Sequence, residues 1–195
     1  MSISHFIIYS GNIIWLLIPF RQLRTSFFFF FLIYALSCAV FLFDTILLIH
    51  PAYIYLGVGF FLIISLYNFR KIPNYKFFLL GILTISIILP FLISVGIITI
   101  ILILQHVIIF FIILKRIVVY SSEQGKLNLF HFVLLMFEIS AIMRFVVVAG
   151  NIRTGIIFFY LTAAFSILIG IFFLFYNVEN SPKFSMAGKN IIDTD

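Results

Sequence analysis

The chain consists of continuous apolar runs separated by short polar or proline- and glycine-containing breaks. Each run is about 18–25 residues long, which is the length a helix needs to cross a bilayer. The runs lack the apolar–polar alternation of a membrane β-barrel. The pattern therefore predicts seven membrane-spanning helices, at about 4–20, 25–49, 52–69, 75–93, 96–114, 128–149 and 155–176.

The breaks define the predicted domain organisation. The longest internal loop is predicted at Tyr120–Lys126, and a tight turn at Ser94–Gly96 divides spans four and five. Residues 1–176 then form one transmembrane domain. The polar segment 177–195 is too short for a second domain, and we expect a disordered cytoplasmic tail there.

Composition supports a membrane assignment. The chain is 65% hydrophobic and 9% charged, with a mean hydropathy of +1.31, against about 25% charged residues in soluble domains. Water would leave large apolar patches exposed, whereas a bilayer accepts them if backbone groups are satisfied within helices. We expect an all-α, polytopic, multi-pass bundle in a cell membrane such as a bacterial inner membrane.

Basic residues predict the orientation of the bundle. Ten of the twelve lie on one side of the predicted spans, and only Arg153 lies in an opposite loop, with Arg144 inside span six. The positive-inside rule then places the N-terminus outside and the C-terminus in the cytoplasm. The net charge of +6 reflects this topology, so we expect no nucleic-acid partner.

Several kinds of site are missing from the sequence. Cys38 is the single cysteine, so no disulfide framework exists, and no Cys/His spacing is typical of a metal site. No P-loop, Rossmann glycine pattern or hydrolase nucleophile motif is present. We therefore expect neither a metal nor a cofactor.

Ionisable side chains inside spans are the main candidates for function, because burying them in hydrocarbon is costly. Asp44 in span two and Arg144 in span six lie at similar predicted depths and can form an ion pair that docks two helices. Glu138, His106, Gln105 and Asn12 fall near the middle of their spans. Glu138 and Arg144 are six residues apart and project to different sides of one helix, which makes His106 the expected partner of Glu138.

The aromatic residues have a simpler interpretation. Trp15 fits an interfacial belt of the kind found at membrane boundaries. The run Phe27–Phe31 is interpreted as apolar filler or lipid-facing surface.

Spans two and six share a weak internal sequence similarity. Phe43-Asp44-Thr45-Ile46-Leu47-Leu48 is similar to Phe137-Glu138-Ile139-Ser140-Ala141-Ile142. Such a similarity suggests that spans one to three and five to seven are parallel repeats around span four.

The same two acids resemble those of the YhhN/lysoplasmalogenase family. The segment Ala39–Leu48 looks like the family's first acidic segment, Phe137-Glu138 like the second, and Leu161-Thr162-Ala163-Ala164 like the last span. Phe43 replaces the glycine before the first acid, and Glu138 replaces an aspartate. The resemblance implies hydrolysis of a lysoplasmalogen-type lipid, with Asp44 and Glu138 as general acid and base in an unassigned order.

Three classes of function remain open. The first is the YhhN-like hydrolase, which predicts that Asp44 and Glu138 share a lipid-accessible cavity. The second is a small-molecule transporter or receptor lined by Asn12, Gln105, His106 and Glu138. Its predicted topology resembles the PQ-loop sugar transporters, although their Pro-Gln signature is absent. The third is a non-enzymatic accessory subunit of a membrane complex. The expected partners are membrane lipids, other membrane subunits or a second copy.

Overall fold

The computed structural model describes residues 3–42, 51–66 and 75–185. Within them the chain forms seven α-helices and one small antiparallel sheet. The helices are α1 (Ile3–Arg21), α2 (Phe28–Leu42), α3 (Pro51–Leu66), α4 (Tyr75–Leu92), α5 (Val95–Gln124), α6 (Leu129–Ala149) and α7 (Gly155–Phe175). The strands are β1 (Lys126–Asn128) and β2 (Lys183–Ser185).

The all-α prediction is confirmed for the described residues, and the membrane assignment has direct support in three helices. Val95–Gln124, Leu129–Ala149 and Ile157–Phe175 are each long and apolar enough to cross a membrane. Helical structure satisfies the backbone hydrogen bonds inside each segment, which is the condition for a chain surrounded by hydrocarbon.

Six helices form a closed ring. Its contact order is α1, α2, α3, α5, α6 and α7, and α7 closes on α1. Helix α4 lies outside the ring, packs mainly on α3 and exposes Phe77, Leu80 and Leu83. This arrangement is compatible with the prediction that spans one to three and spans five to seven are repeats on either side of span four. Because consecutive helices run in opposite directions, the ring has one end where α1, α3, α5 and α7 finish, and a second end where they begin.

We call the first of these ends the basic end. Its described basic residues include Arg21, Arg24, Lys115, Arg116, Lys126 and Lys183. The opposite end is called the cavity end, because a polar cavity lies towards it.

The ring is filled by aromatic side chains. Phe27, Phe30 and Phe31 are buried with Phe130, Phe137 and Phe173, and Trp15 is only 2% exposed. Of the two interpretations of Phe27–Phe31, lipid-facing surface is wrong for Phe27, Phe30 and Phe31, which fill the core. The interfacial placement of Trp15 is also wrong. Residues three and four apart share one helix face, so part of a phenylalanine run faces inward while Phe29 faces outward.

Helix α5 is longer than predicted. The predicted loop Tyr120–Lys126 is wrong, because the helix continues through Lys115 and Arg116 to Gln124. Gly125 ends it in the left-handed conformation, with φ of 63°, which glycine adopts without steric cost. The charges at Lys115 and Arg116 therefore do not interrupt the helix.

The predicted disordered tail 177–195 is wrong for residues 177–185. Strand β2 pairs with β1, with Lys126 opposite Ser185 and Asn128 opposite Lys183. The amide of Leu129 also donates to the carbonyl oxygen of Pro182 at 3.0 Å. The pairing joins the start of α6 to the segment after α7. The remaining residues of the predicted tail, 186–195, lie outside the described residues.

Candidate functional site

A polar cavity of about 200 Å³ lies inside the ring towards the cavity end. Helices α1, α2, α3, α6 and α7 all contribute side chains to its wall. The polar and aromatic lining residues are Asn12, Trp15, Tyr34, Ser37, Cys38, Tyr55, Arg144 and Ser166. In a chain with so few polar residues, their convergence on one cavity marks a candidate binding site.

Arg144 supplies the positive charge of this cavity. It lies near the end of α6 and is half-buried. Within the described part of the chain, no carboxylate forms an ion pair with its guanidinium. Asp44, the predicted partner of Arg144 and one of the two predicted catalytic residues, lies outside the described residues.

Asn12 adds a second free donor. The Nδ2 atom of its amide is buried and has no hydrogen-bond partner. The hydroxyl of Ser37 differs, because it donates to the carbonyl oxygen of Tyr34 at 2.6 Å. An arginine and an amide N–H that converge on one space provide charge-assisted donors for an anionic oxygen.

Trp15 lies between the cavity and the aromatic core. Its indole N–H donates to the carbonyl oxygen of Ser166 at 3.3 Å. Its ring centroid lies 4.5 Å from that of Tyr34, which lines the cavity, and 4.5 Å from that of Phe137 in the core. Both ring contacts restrict the indole, so Trp15 presents a fixed aromatic surface to any molecule in the cavity.

A buried pair of ionisable groups links α5 to α6. His106 Nδ1 and Glu138 Oε2 are 2.7 Å apart, and the carboxyl group is fully buried. The pairing expected from their depths is therefore present. The second oxygen, Glu138 Oε1, is buried without a partner. The imidazole also stacks on Phe145, at 5.2 Å between ring centroids.

Gln105 precedes His106 on α5 and contacts a different helix. Its Nε2 donates to the carbonyl oxygen of Leu56 on α3 at 3.1 Å. The amide lies across Gly59, where an added Cβ atom would collide with Gln105 Oε1. The adjacent residues Gln105 and His106 thus attach α5 to two neighbours, α3 and α6.

The structure divides the predicted polar cluster into two groups. Asn12 and Arg144 line the cavity, whereas Gln105, His106 and Glu138 do not. Phe145 contacts both His106 and the cavity residue Tyr55. Glu138 is not among the residues that line the polar cavity, and lipid hydrolysis by Asp44 and Glu138 stays a prediction.

Sequence reasoning missed most of the cavity wall. Tyr34, Ser37 and Cys38 are three and four residues apart, so they occupy one face of α2. That polar stripe in an otherwise apolar helix was the available signal. Tyr55 and Ser166 gave no comparable signal, because neither belongs to a set of three polar residues on one helix face.

No family model, curated protein or solved structure matches the chain. The cavity and the buried pair are therefore the basis for a functional proposal.

Proposed function

We propose that the chain is a seven-span membrane protein that binds a small anionic ligand in the cavity at the outer side of the membrane. The function is that of a receptor or transporter for small molecules. The observation that carries the proposal is Arg144, a cation in the cavity wall without a carboxylate partner among the described residues.

The proposed topology places the basic end in the cytoplasm. The seven helices and their alternating directions support it, as do the basic residues gathered at one end of the ring. Reporter fusions after Lys76, Lys126 and Lys183 should report the cytoplasm, and a fusion after Arg153 should report the outside. A reversal at any position would contradict the span count.

The ligand class follows from the donors and the surface of the cavity. Arg144 and Asn12 Nδ2 suit a carboxylate or another compact oxyanion. Trp15, Tyr34 and Tyr55 provide aromatic surface for an apolar or flat ligand body. A volume of about 200 Å³ restricts the ligand to a small molecule.

Trp15 provides a built-in reporter for this proposal. It is the one tryptophan of the chain and lines the cavity. We expect the ratio of iodide quenching to caesium quenching to be several-fold higher than for free N-acetyltryptophanamide, because Arg144 concentrates anions beside the indole. Arg144→Gln should remove this excess preference for iodide while leaving quenching by neutral acrylamide unchanged. Arg144→Lys should retain part of it, since the charge remains.

Arg153→Gln is the matched control, because Arg153 lies in the exposed connection before α7, outside the cavity lining. Its iodide quenching should equal that of the wild type. Asp44→Asn tests the alternative, in which Asp44 and Arg144 form a closed structural pair. If an anion preference appears only after Asp44→Asn, Arg144 is a structural residue and the ligand proposal is wrong.

Benzoate extends the test to an organic ligand. It combines a carboxylate with an aromatic body, and benzyl alcohol is its uncharged counterpart. Benzoate should protect Trp15 from iodide in the wild type and lose that effect in Arg144→Gln. Equal protection by benzyl alcohol would show that the carboxylate is not recognised.

A further inference from the structure

The outer surface of the ring carries a second cavity, which is apolar. It is a groove of about 460 Å³ between α1 and α2, towards the basic end. All its lining residues are apolar: Leu16, Leu17, Pro19, Phe20, Leu23, Phe28, Leu32, Ala35 and Leu36. Phe20 and Leu36 are strongly exposed, so the groove faces the surroundings of the ring.

One arginine lies in the α1–α2 turn at the basic end of this groove. Arg24 follows the groove residue Leu23 in that turn, and Phe28, which also lines the groove, begins α2. Arg24 is exposed and has a φ of 73°, a conformation uncommon for a residue with a large side chain. Arg21 is also exposed and donates to the carbonyl oxygen of Phe175 at 3.1 Å.

The turn holds Arg24 in a fixed place relative to the groove. The hydroxyl of Thr25 donates to the carbonyl oxygen of Gln22 at 2.9 Å. The amide of Phe28 donates to the carbonyl oxygen of Thr25 at 3.3 Å. An apolar groove with a cation at its mouth has the chemistry of a lipid site, with hydrocarbon in the groove and a phosphate at the arginine.

The groove follows α2 from Phe28 to Leu36, which corresponds to about two helical turns, or about 12 Å. An acyl chain is narrow enough to lie along that length. The exposed Arg24, next to the groove residue Leu23, provides a positive charge that a phosphate can pair with. This charge favours an anionic phospholipid over an apolar helix as the occupant.

We propose that the α1–α2 groove binds one acyl chain of an anionic phospholipid whose phosphate is held by Arg24. This site is separate from the polar cavity, because the groove and the cavity share no lining residue. The two proposals therefore stand or fall independently.

Native mass spectrometry of the full chain in detergent tests the lipid site. The probes are palmitoyl-oleoyl phosphatidylglycerol and the matching phosphatidylcholine. We expect the wild type to retain one phosphatidylglycerol molecule with at least a fivefold preference. Arg24→Gln should remove the preference, and Lys126→Gln, which changes an exposed lysine at the same end, should keep it.

A second pair of variants tests the groove itself. Leu36→Trp adds bulk to an exposed residue of the groove wall and should reduce retention of both lipids. Leu104→Trp makes the same change at a similarly exposed position on α5 and should not. The proposal is overturned if Arg24→Gln retains the preference, or if both tryptophan variants bind lipid like the wild type. If the wild type forms dimers that Leu36→Trp alone loses while lipid retention is unchanged, a second copy of the chain occupies the groove. The lipid proposal would then be overturned as well.

Discussion

The two ends of the helix ring use their polar side chains differently. At the basic end, Gln22 donates to the carbonyl oxygens of Phe173 and Tyr176, each at 3.0 Å. Arg116 donates to the carbonyl oxygen of Leu66, at the end of α3. At the cavity end, Asn12 Nδ2 has no partner, and Arg144 forms no ion pair with a described carboxylate.

Helix ends explain the bonded groups at the basic end. The last carbonyl groups of a helix have no intrahelical donor, and hydrocarbon offers none. Side chains of Arg21 and Gln22 provide missing donors for α7, and Arg116 donates to the last described carbonyl group of α3. The cations Arg21 and Arg116 also lie favourably beside the negative ends of the helix dipoles. The polar groups of this end therefore stabilise the bundle.

Buried polar groups at the cavity end also need hydrogen-bond partners, but there the space beside them is a cavity. A buried donor without an acceptor is unfavourable, so such groups persist where a bound molecule or water satisfies them. Asn12 Nδ2 and Arg144 border one cavity, which lets a single ligand satisfy both. The basic end also has buried polar atoms without a partner among the described residues, such as Ser121 Oγ and Ser181 Oγ. The cavity end differs because Asn12 and Arg144 border the same cavity, and that arrangement favours binding there.

The largest expected effect comes from emptying the core next to the basic end. Phe173 is fully buried and contacts the rings of Trp15, Phe31 and Phe130. Phe173→Ala should lower the free energy of unfolding by about 2–3 kcal/mol, less than a soluble core loses, because lipid also solvates the exposed surface. Unfolding in mixed detergent micelles measures the change.

Phe165→Ala is the control for this truncation. Phe165 lies on the same helix but is 40% exposed, so its removal should change stability by under about 0.5 kcal/mol. Equal losses in both variants would mean that the aromatic core does not dominate stability.

The His106–Glu138 pair gives a smaller effect of a different kind. His106→Ala and Glu138→Ala should each destabilise the protein, and the double variant by less than their sum. We expect a coupling energy of about 1 kcal/mol, because polar pairs between membrane helices measure near that value. Additive losses would show that the 2.7 Å contact contributes no interaction energy.

Glu138→Gln separates the charge of the carboxyl group from its hydrogen bond to His106. The amide retains a hydrogen bond to His106 but carries no charge. If the pair serves helix docking, this variant should keep most of the stability and the iodide quenching of Trp15. A loss of quenching without a loss of stability would connect the buried pair to the cavity.

The sequence predicted the helices well because the apolar runs themselves define them. Six of the seven predicted spans agree with described helices within about three residues at their described ends. Span five was too short, since Lys115 and Arg116 resemble a helix boundary although Gly125 is the residue that ends α5. The β1–β2 pairing was missed because three-residue strands carry too little pattern to be recognised.

The candidate site was predictable only in part, for a geometric reason. Depth along a span follows from residue number, which brought His106 and Glu138 together correctly. The direction in which a side chain points depends on the neighbours of its helix, and those were unknown. Gln105 was therefore grouped with Asn12 although it bonds to Leu56 on α3, and Trp15 was placed at the interface although it is buried.

The smallest expected effects come from two glycine-to-alanine substitutions, one beside the cavity and one where α1 and α7 pack closely. An added Cβ at Gly11, which lines the cavity, would meet Ile167 at an ordinary 3.5 Å. At Gly170 the Cβ would approach Ile14 Cγ2 at 2.7 Å, and isoleucine cannot easily rotate away. Gly11→Ala should change the free energy of unfolding by under about 0.5 kcal/mol, whereas Gly170→Ala should lower it by about 1 kcal/mol.

Thermal unfolding of the two alanine variants under one detergent condition checks this difference. Both substitutions raise helix propensity equally, so the contrast between them reports packing at the α1–α7 contact. Gly11→Ala should also lower iodide quenching of Trp15 slightly, because the methyl group occupies part of the cavity. Equal destabilisation by both variants would mean that α1 and α7 pack as closely beside the cavity as they do beside Gly170, leaving no room there for a ligand.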